Sequence, residues 1–139
     1  MRVLLVTNTF PPAYTGGAEV SNYHTCQALI RRGVQCSALF INNRVPKPLD
    51  QWYDFHGLPV HRVNFHTRRR TALNDVFDWR VYRAMQRELD RIRPDIVHMT
   101  NMSGATLAPY VACRRAGTPV VNMLHDLWLL CPNNMLYRV

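Results

Sequence analysis

Two short groups of residues in this chain have the types and spacing that do chemistry. In PVVNMLHDLWLLCP, Pro119 to Pro132, an apolar run rich in β-branched residues ends in His125, Asp126 and Trp128. The run reads as a strand buried on both faces, so an imidazole and a carboxylate stand at a strand's end. Ligands bind at that end in open α/β sheets, which makes His125 and Asp126 the candidate catalytic pair. The same pair would also serve a purely structural end, satisfying loop backbone groups. The second group is Gly16-Gly17, directly ahead of an amphipathic helix with apolar positions at Val20, Tyr23, Cys26, Leu29 and Ile30. Glycines there let a ligand approach the backbone, and the free N–H groups of a helix N-terminus attract an anion such as a pyrophosphate. An ordinary tight turn carries the same signature.

The elements that must position these residues alternate regularly. Apolar strands are expected at Arg2 to Thr7, Val34 to Ile41, Val60 to Phe65, Asp95 to Thr100 and Thr118 to Leu124. Gly33 is expected to cap the first helix. NNRVPKPLDQ, with two prolines, breaks the chain after the second strand. A long helix beginning near Asn74 or Asp75 puts Phe77, Val81, Met85, Leu89 and Ile92 on one core stripe and stops at Pro94. A further helix runs from Gly104 to Arg115, with Pro109 bending or interrupting it, and Gly117 ends it. With right-handed crossovers this order predicts an α/β, Rossmann-like, doubly wound parallel sheet of about five strands in the order 3-2-1-4-5, helices on both faces. The loops Thr7 to Tyr14, His98 to Gly104 and His125 to Trp128 then converge on one carboxyl-edge crevice beside the topological switch point.

Composition narrows the function classes. The 139 residues are 47% hydrophobic, enough for one domain with a core. No run approaches the ~20 apolar residues that span a bilayer, and the start is too short for a signal peptide, so a cytoplasmic location is the default expectation. Cys26, Cys36, Cys113 and Cys131 are scattered without a C-x-x-C pair and are expected as reduced, mostly buried thiols. The formal net charge of +8 implies anionic partners. Arg68 to Arg70 form the densest basic run, which reads equally as a solvated loop or as a contact with anionic membrane. Nucleic acid is not expected, because no aromatic residues interleave with these charges.

Three blocks together resemble the amino-terminal, acceptor-side domain of glycosyltransferase family 4, half of a GT-B fold of two facing Rossmann-like domains. They are RVLLVTNTFPPAYTGGAEVSNYHTCQALIRRGVQC, RPDIVHMTNMSG and AGTPVVNMLHDLWLLCP. The last is similar to the Leu-His-Asp-x-Trp-x-x-Cys-Pro element of a polysaccharide-building subgroup. The resemblance implies transfer of a sugar from a nucleotide-sugar to a hydroxyl of a glycan or lipid-linked acceptor, with retention and with no cofactor or metal. It places Gly16 and Gly17 at the donor's diphosphate, His125 and Asp126 at the reacting centre, and Phe10, Asn101 and Ser103 around the acceptor. Charge developing on the leaving diphosphate would be met by helix-end amides and cationic side chains.

Departures from the family pattern set the alternatives. Thr100 stands where members often carry a second histidine. The donor-binding carboxyl-terminal domain with its Glu-x7-Glu motif is absent, so the chain is expected to be a truncated first half, nearly inactive alone. The alternative is a stand-alone Rossmann-like binding module for a phosphorylated or lipid-linked ligand. A nicotinamide cofactor fits poorly, since TGGAEV lacks G-x-G-x-x-G spacing. If the fifth strand lacks its next neighbour, its open edge, or the apolar segment Trp128 to Val139, would pair with a second copy as a homodimer. Peripheral contact with the inner face of a membrane follows from the basic surface.

Overall fold

The structure, a computed structural model, describes residues 1–13, 16–67, 71–125 and 127. A six-stranded sheet forms its centre. The strands are β1 (Arg2–Thr7), β2 (Gln35–Asn42), β3 (Leu49–Phe55), β4 (Leu58–Asn64), β5 (Ile96–Met99) and β6 (Val120–Asn122), in the spatial order β3-β4-β2-β1-β5-β6. All neighbours run parallel except β3, which returns against β4 as an antiparallel edge. The expected five parallel strands therefore take their expected order. β3 is the addition, formed where an irregular segment was expected.

Alternation along β1 explains why both faces are covered. Leu4 and Val6 point to one side, where they meet Leu39, Ile41, Val97 and Met99 beneath helices α3 (Trp79–Ile92) and α4 (Ala108–Ala116). Val3 and Leu5 point to the other, packing with Ala38, Phe40 and Val60 beneath α1 (Gly17–Ile30). A strand buried on both faces reads as a nearly continuous apolar run, and RVLLVT is one. β6 departs from that reading. All three of its residues are exposed, and among the described residues it ends the sheet, paired with β5.

Helix ends also differ from expectation in instructive ways. The long helix is split: α2 (Ala72–Val76) stops at Phe77, whose φ of −144° is extended. Asp78 then caps α3 by accepting from the Arg80 N–H at 2.9 Å. A buried aspartate that can satisfy an orphan N–H outweighs the continuity of the apolar stripe. Val81, Met85 and Leu89 still form the buried stripe, with Phe77 and Ile92 packed at its margins. Pro109 falls in the first turn of α4, where it is tolerated, and not in the helix interior. Gly117 takes the left-handed cap at φ 69°, as expected. α1 is capped by Arg31, and Gly33 supplies the left-handed residue just beyond.

The edge strand is fastened to α3 by an ionic network centred on the buried pair His61 and Glu88. His61 of β4 bonds Glu88 through Nδ1 at 2.8 Å and Asp50 of β3 through Nε2 at 2.7 Å. Arg91 completes Glu88 at 2.8 Å. Trp52 stacks on the imidazole with ring centroids 4.2 Å apart. Burial opposes charge on His61, but the hydrogen bonds and charges of Glu88 and Asp50 outweigh it, so its pKa is raised. The imidazolium, with two donors for two carboxylates, is the form that fits.

Candidate functional site

At the carboxyl edge the chain leaves β1 into a loop held by backbone and amide bonds. The Asn8 N–H donates to the Asn101 carbonyl at 3.0 Å, while its side-chain Nδ2 donates to the Ser103 carbonyl. Asn42, at the end of β2, donates to the Asn8 carbonyl at 3.0 Å. Thus the β1, β2 and β5 loops are tied at one point. Gly104 is required there: its φ is +81°, and a Cβ would come within 2.8 Å of Asn42 Oδ1. The expected acceptor residues Asn101 and Ser103 belong to this knot. Asn101 Oδ1 accepts from the Ser103 N–H at 3.1 Å, and Ser103 Oγ accepts from Arg44 at 3.0 Å. Phe10 is fully buried, with its ring edge-on to Phe55 at 6.0 Å. Its side chain anchors the loop in the core and presents no surface to a ligand.

The α1 end of the site is more polar than its sequence pattern suggests. The helix buries Glu19, Asn22 and Cys26, whereas Val20 is exposed. Glu19 accepts from the Gly16 N–H at 2.9 Å and from the Thr9 hydroxyl, strapping the β1 loop to the helix start. The Gly16 amide is therefore committed within the protein. Gly17 stays open, because a Cβ there would meet nothing within 4 Å. An anion at this helix end would be met by the first-turn amides beyond Gly16 and would face the Glu19 carboxylate beside them.

Five residues further along α1, roughly 7.5 Å on, Asn22 joins the helix to two strand ends. Its Nδ2 donates to Thr100 Oγ1 at 3.1 Å, and His125 Nε2 lies 3.2 Å from its Oδ1. Gly17 and His125 thus share one edge and one helix. Beneath them, His98 of β5 is 8% exposed, and its Nε2 has no hydrogen-bond partner among the described residues. Burial, and then the charge of His125, push the His98 pKa down, so its neutral form is favoured. Asp126 lies outside the described residues, as do Trp128, Arg68 to Arg70, Cys131 and the segment 128–139. Among the described residues no group of His, Cys, Asp or Glu has the arrangement of a metal site.

Glu19, Asn22, Asn8 and Gly104 are site residues that the reading for apolar periodicity passed over. A signal existed: residues 19, 22 and 26 recur at helical spacing, and the stripe they form is the buried one. Two cavities lined by described residues lie elsewhere. One of about 590 Å³ runs along α3 past Arg80, Arg83 and Arg87; another of about 390 Å³ lies between the Pro12 loop and β3, lined by Gln51, Tyr53 and Arg62. Position at the switch point and convergence of polar side chains, not volume, single out the α1 edge.

Comparison with known proteins bears on the family and the fold. A curated Klebsiella pneumoniae protein, described as an uncharacterized 42.6 kDa protein in the cps region, is 24% identical over 99% of this chain, which spans 40% of that protein's length. An E. coli structure described as trehalose-6-phosphate bound with UDP-2-fluoro glucose superimposes with a TM-score of 0.56 at 14% identity, over 91% of this chain and 33% of that one. At that identity the likeness concerns the fold. The model of Glycosyltransferase Family 4 matches residues 15–138, from the glycine turn through both later site loops, and the chain belongs to that family.

Proposed function

We propose that this chain is the acceptor-side, amino-terminal domain of a retaining glycosyltransferase that moves a sugar from a nucleotide-sugar to a hydroxyl of a glycan or lipid-linked acceptor. The observation that carries the reading is the meeting of α1, the β5 end and His125 at one carboxyl edge, through Asn22. In this reading Gly17 and the first-turn amides of α1 approach the donor's diphosphate, and His125 stands at the reacting centre with Asp126 beside it. Asn101 and Ser103 shape the acceptor side through the loop knot. In the same reading the segment Leu124-His125-Asp126 with Trp128, Cys131 and Pro132 is the element of a polysaccharide-building subgroup. The cps-region relative supports that assignment.

Sugar transfer needs the donor held from both sides, because positioning and diphosphate stabilisation supply much of the rate. We therefore take the functional unit to include a facing donor-binding domain, a reading supported by the greater length of both relatives. Titrating the isotopically labelled chain with a panel of nucleotide-sugars tests the donor assignment. Weak binding is expected, with backbone amide shifts at Gly17, Ala18, Asn101 and His125. Shifts confined to the α3 face around Arg83 and Arg87 would contradict it.

A further inference from the structure

We infer that Asn22 is a positioning residue that fixes which nitrogen of His125 carries the proton, so that the lone pair of the neutral ring lies on Nδ1. This deepens the proposed function and rests on it only for the role of His125 beside the sugar; the proton assignment stands on the geometry. Thr100 Oγ1 donates to the Val6 carbonyl at 3.4 Å, a long bond to the same oxygen that accepts the Thr100 N–H at 3.1 Å. With its proton spent, that oxygen can only accept from Asn22, 3.1 Å away. The amide must then turn Nδ2 toward Thr100 and Oδ1 toward His125. Oδ1 is an acceptor, so the ring atom at 3.2 Å, Nε2, must carry a proton.

The consequence holds in both charge states of the ring. When His125 is neutral its proton is on Nε2 and the lone pair is on Nδ1; when charged, Nδ1 is the atom that has gained the proton. Nδ1 is therefore the atom through which protons come and go. A neutral His125 can receive a hydrogen bond from a sugar hydroxyl but cannot donate one from Nδ1. Asn22 is 1% exposed and Thr100 3%, so water does not compete for the relay. His98, buried below with a depressed pKa, adds no charge that would reorient the amide. The relay also gives a role to Thr100, at the position where the family often has a histidine.

Nitrogen-15 NMR of the histidine rings, recorded without substrate at a pH above the imidazole range, reads the assignment directly. The expected wild-type His125 signature is a single tautomer protonated at Nε2, with a ring proton protected from exchange. Thr100→Ser should keep it. Thr100→Val, which frees the amide to flip, and Asn22→Leu should each replace it with averaged tautomers and a fast-exchanging proton. A wild-type ring protonated at Nδ1, or an Nε2–H signature that survives both Thr100→Val and Asn22→Leu, would overturn the inference. Because no substrate is present, failure here leaves sugar transfer untouched. Absence of transfer in a two-domain enzyme would equally leave this assignment standing.

Discussion

At the scale of single residues, His61 makes the clearest statement about pH. Its folded pKa is raised above the ordinary 6.5, so its stabilisation is complete below that value and is lost as pH rises through the folded one. Glu88 behaves oppositely. Despite burial, its bonds to His61 and Arg91 hold it below 4.5, so its contribution is complete above that value and lost as pH falls through the depressed one. The network therefore stabilises most between 4.5 and 6.5. Urea midpoints are expected to fall as pH is raised from about 6 to about 9, and His61→Leu should flatten that slope. An unchanged slope in the variant would assign the dependence to other groups. Glu88→Ala, which leaves the His61 imidazolium with Asp50 as its one carboxylate and Nδ1–H without its acceptor, should cost about 1–3 kcal/mol in the same measurement near pH 6. Gly104→Ala meets both a left-handed φ and a 2.8 Å approach to Asn42 Oδ1. It should cost about 1–3 kcal/mol and loosen the loop knot, seen as faster amide exchange at Asn8 and Asn43.

Among the elements, the parallel core was readable because its strands are apolar runs bounded by glycine and proline. Their order followed from alternation with helices and right-handed crossovers. β3 was not readable, since LDQWYDF alternates with polar residues and is preceded by prolines, and its pairing with β4 is decided by a two-residue turn at His56-Gly57 and by His61. The α2–α3 break was hidden because Asp78 looks like a polar-face residue until its cap is seen. Of the candidate site, the sequence marks Gly17 and His125, where residue type and position speak together. Its middle is unmarked: Asn22, Glu19 and Thr100 are polar residues that acquire meaning only when α1 is laid across the sheet. Phe10, placed around the acceptor by the resemblance, is buried against Phe55, since an aromatic ring next to two prolines also suits an anchor. Tyr53 Oη donates to the Pro11 carbonyl at 2.7 Å and so ties β3 to that loop. Tyr53→Phe should cost about 1 kcal/mol by denaturation with the fold retained.

For the whole molecule, β6 leaves an exposed edge with Val120 and Val121 outward. Such an edge favours pairing with a second copy or with further chain. Light scattering across concentration is expected to show self-association, and a strict monomer at high concentration would contradict it. The formal charge of +8, with Arg83 and Arg87 exposed along α3 beside Trp79, suits an anionic surface. Binding to anionic vesicles should weaken as salt rises, and binding that persists at high salt would point away from charge. No helix among the described residues is long and apolar enough to cross a membrane. In the proposed function the α1 edge around His125 is one side of a sugar-transfer centre that needs a facing domain. Transfer from a nucleotide-sugar, assayed for this chain alone and for a two-domain protein containing it, tests that claim most directly. The expected result is negligible turnover by the chain, turnover by the two-domain protein, and a loss of about 100-fold or more on His125→Ala in the latter. Transfer by the chain alone at the rate of the two-domain protein, or an unchanged rate in His125→Ala, would contradict it.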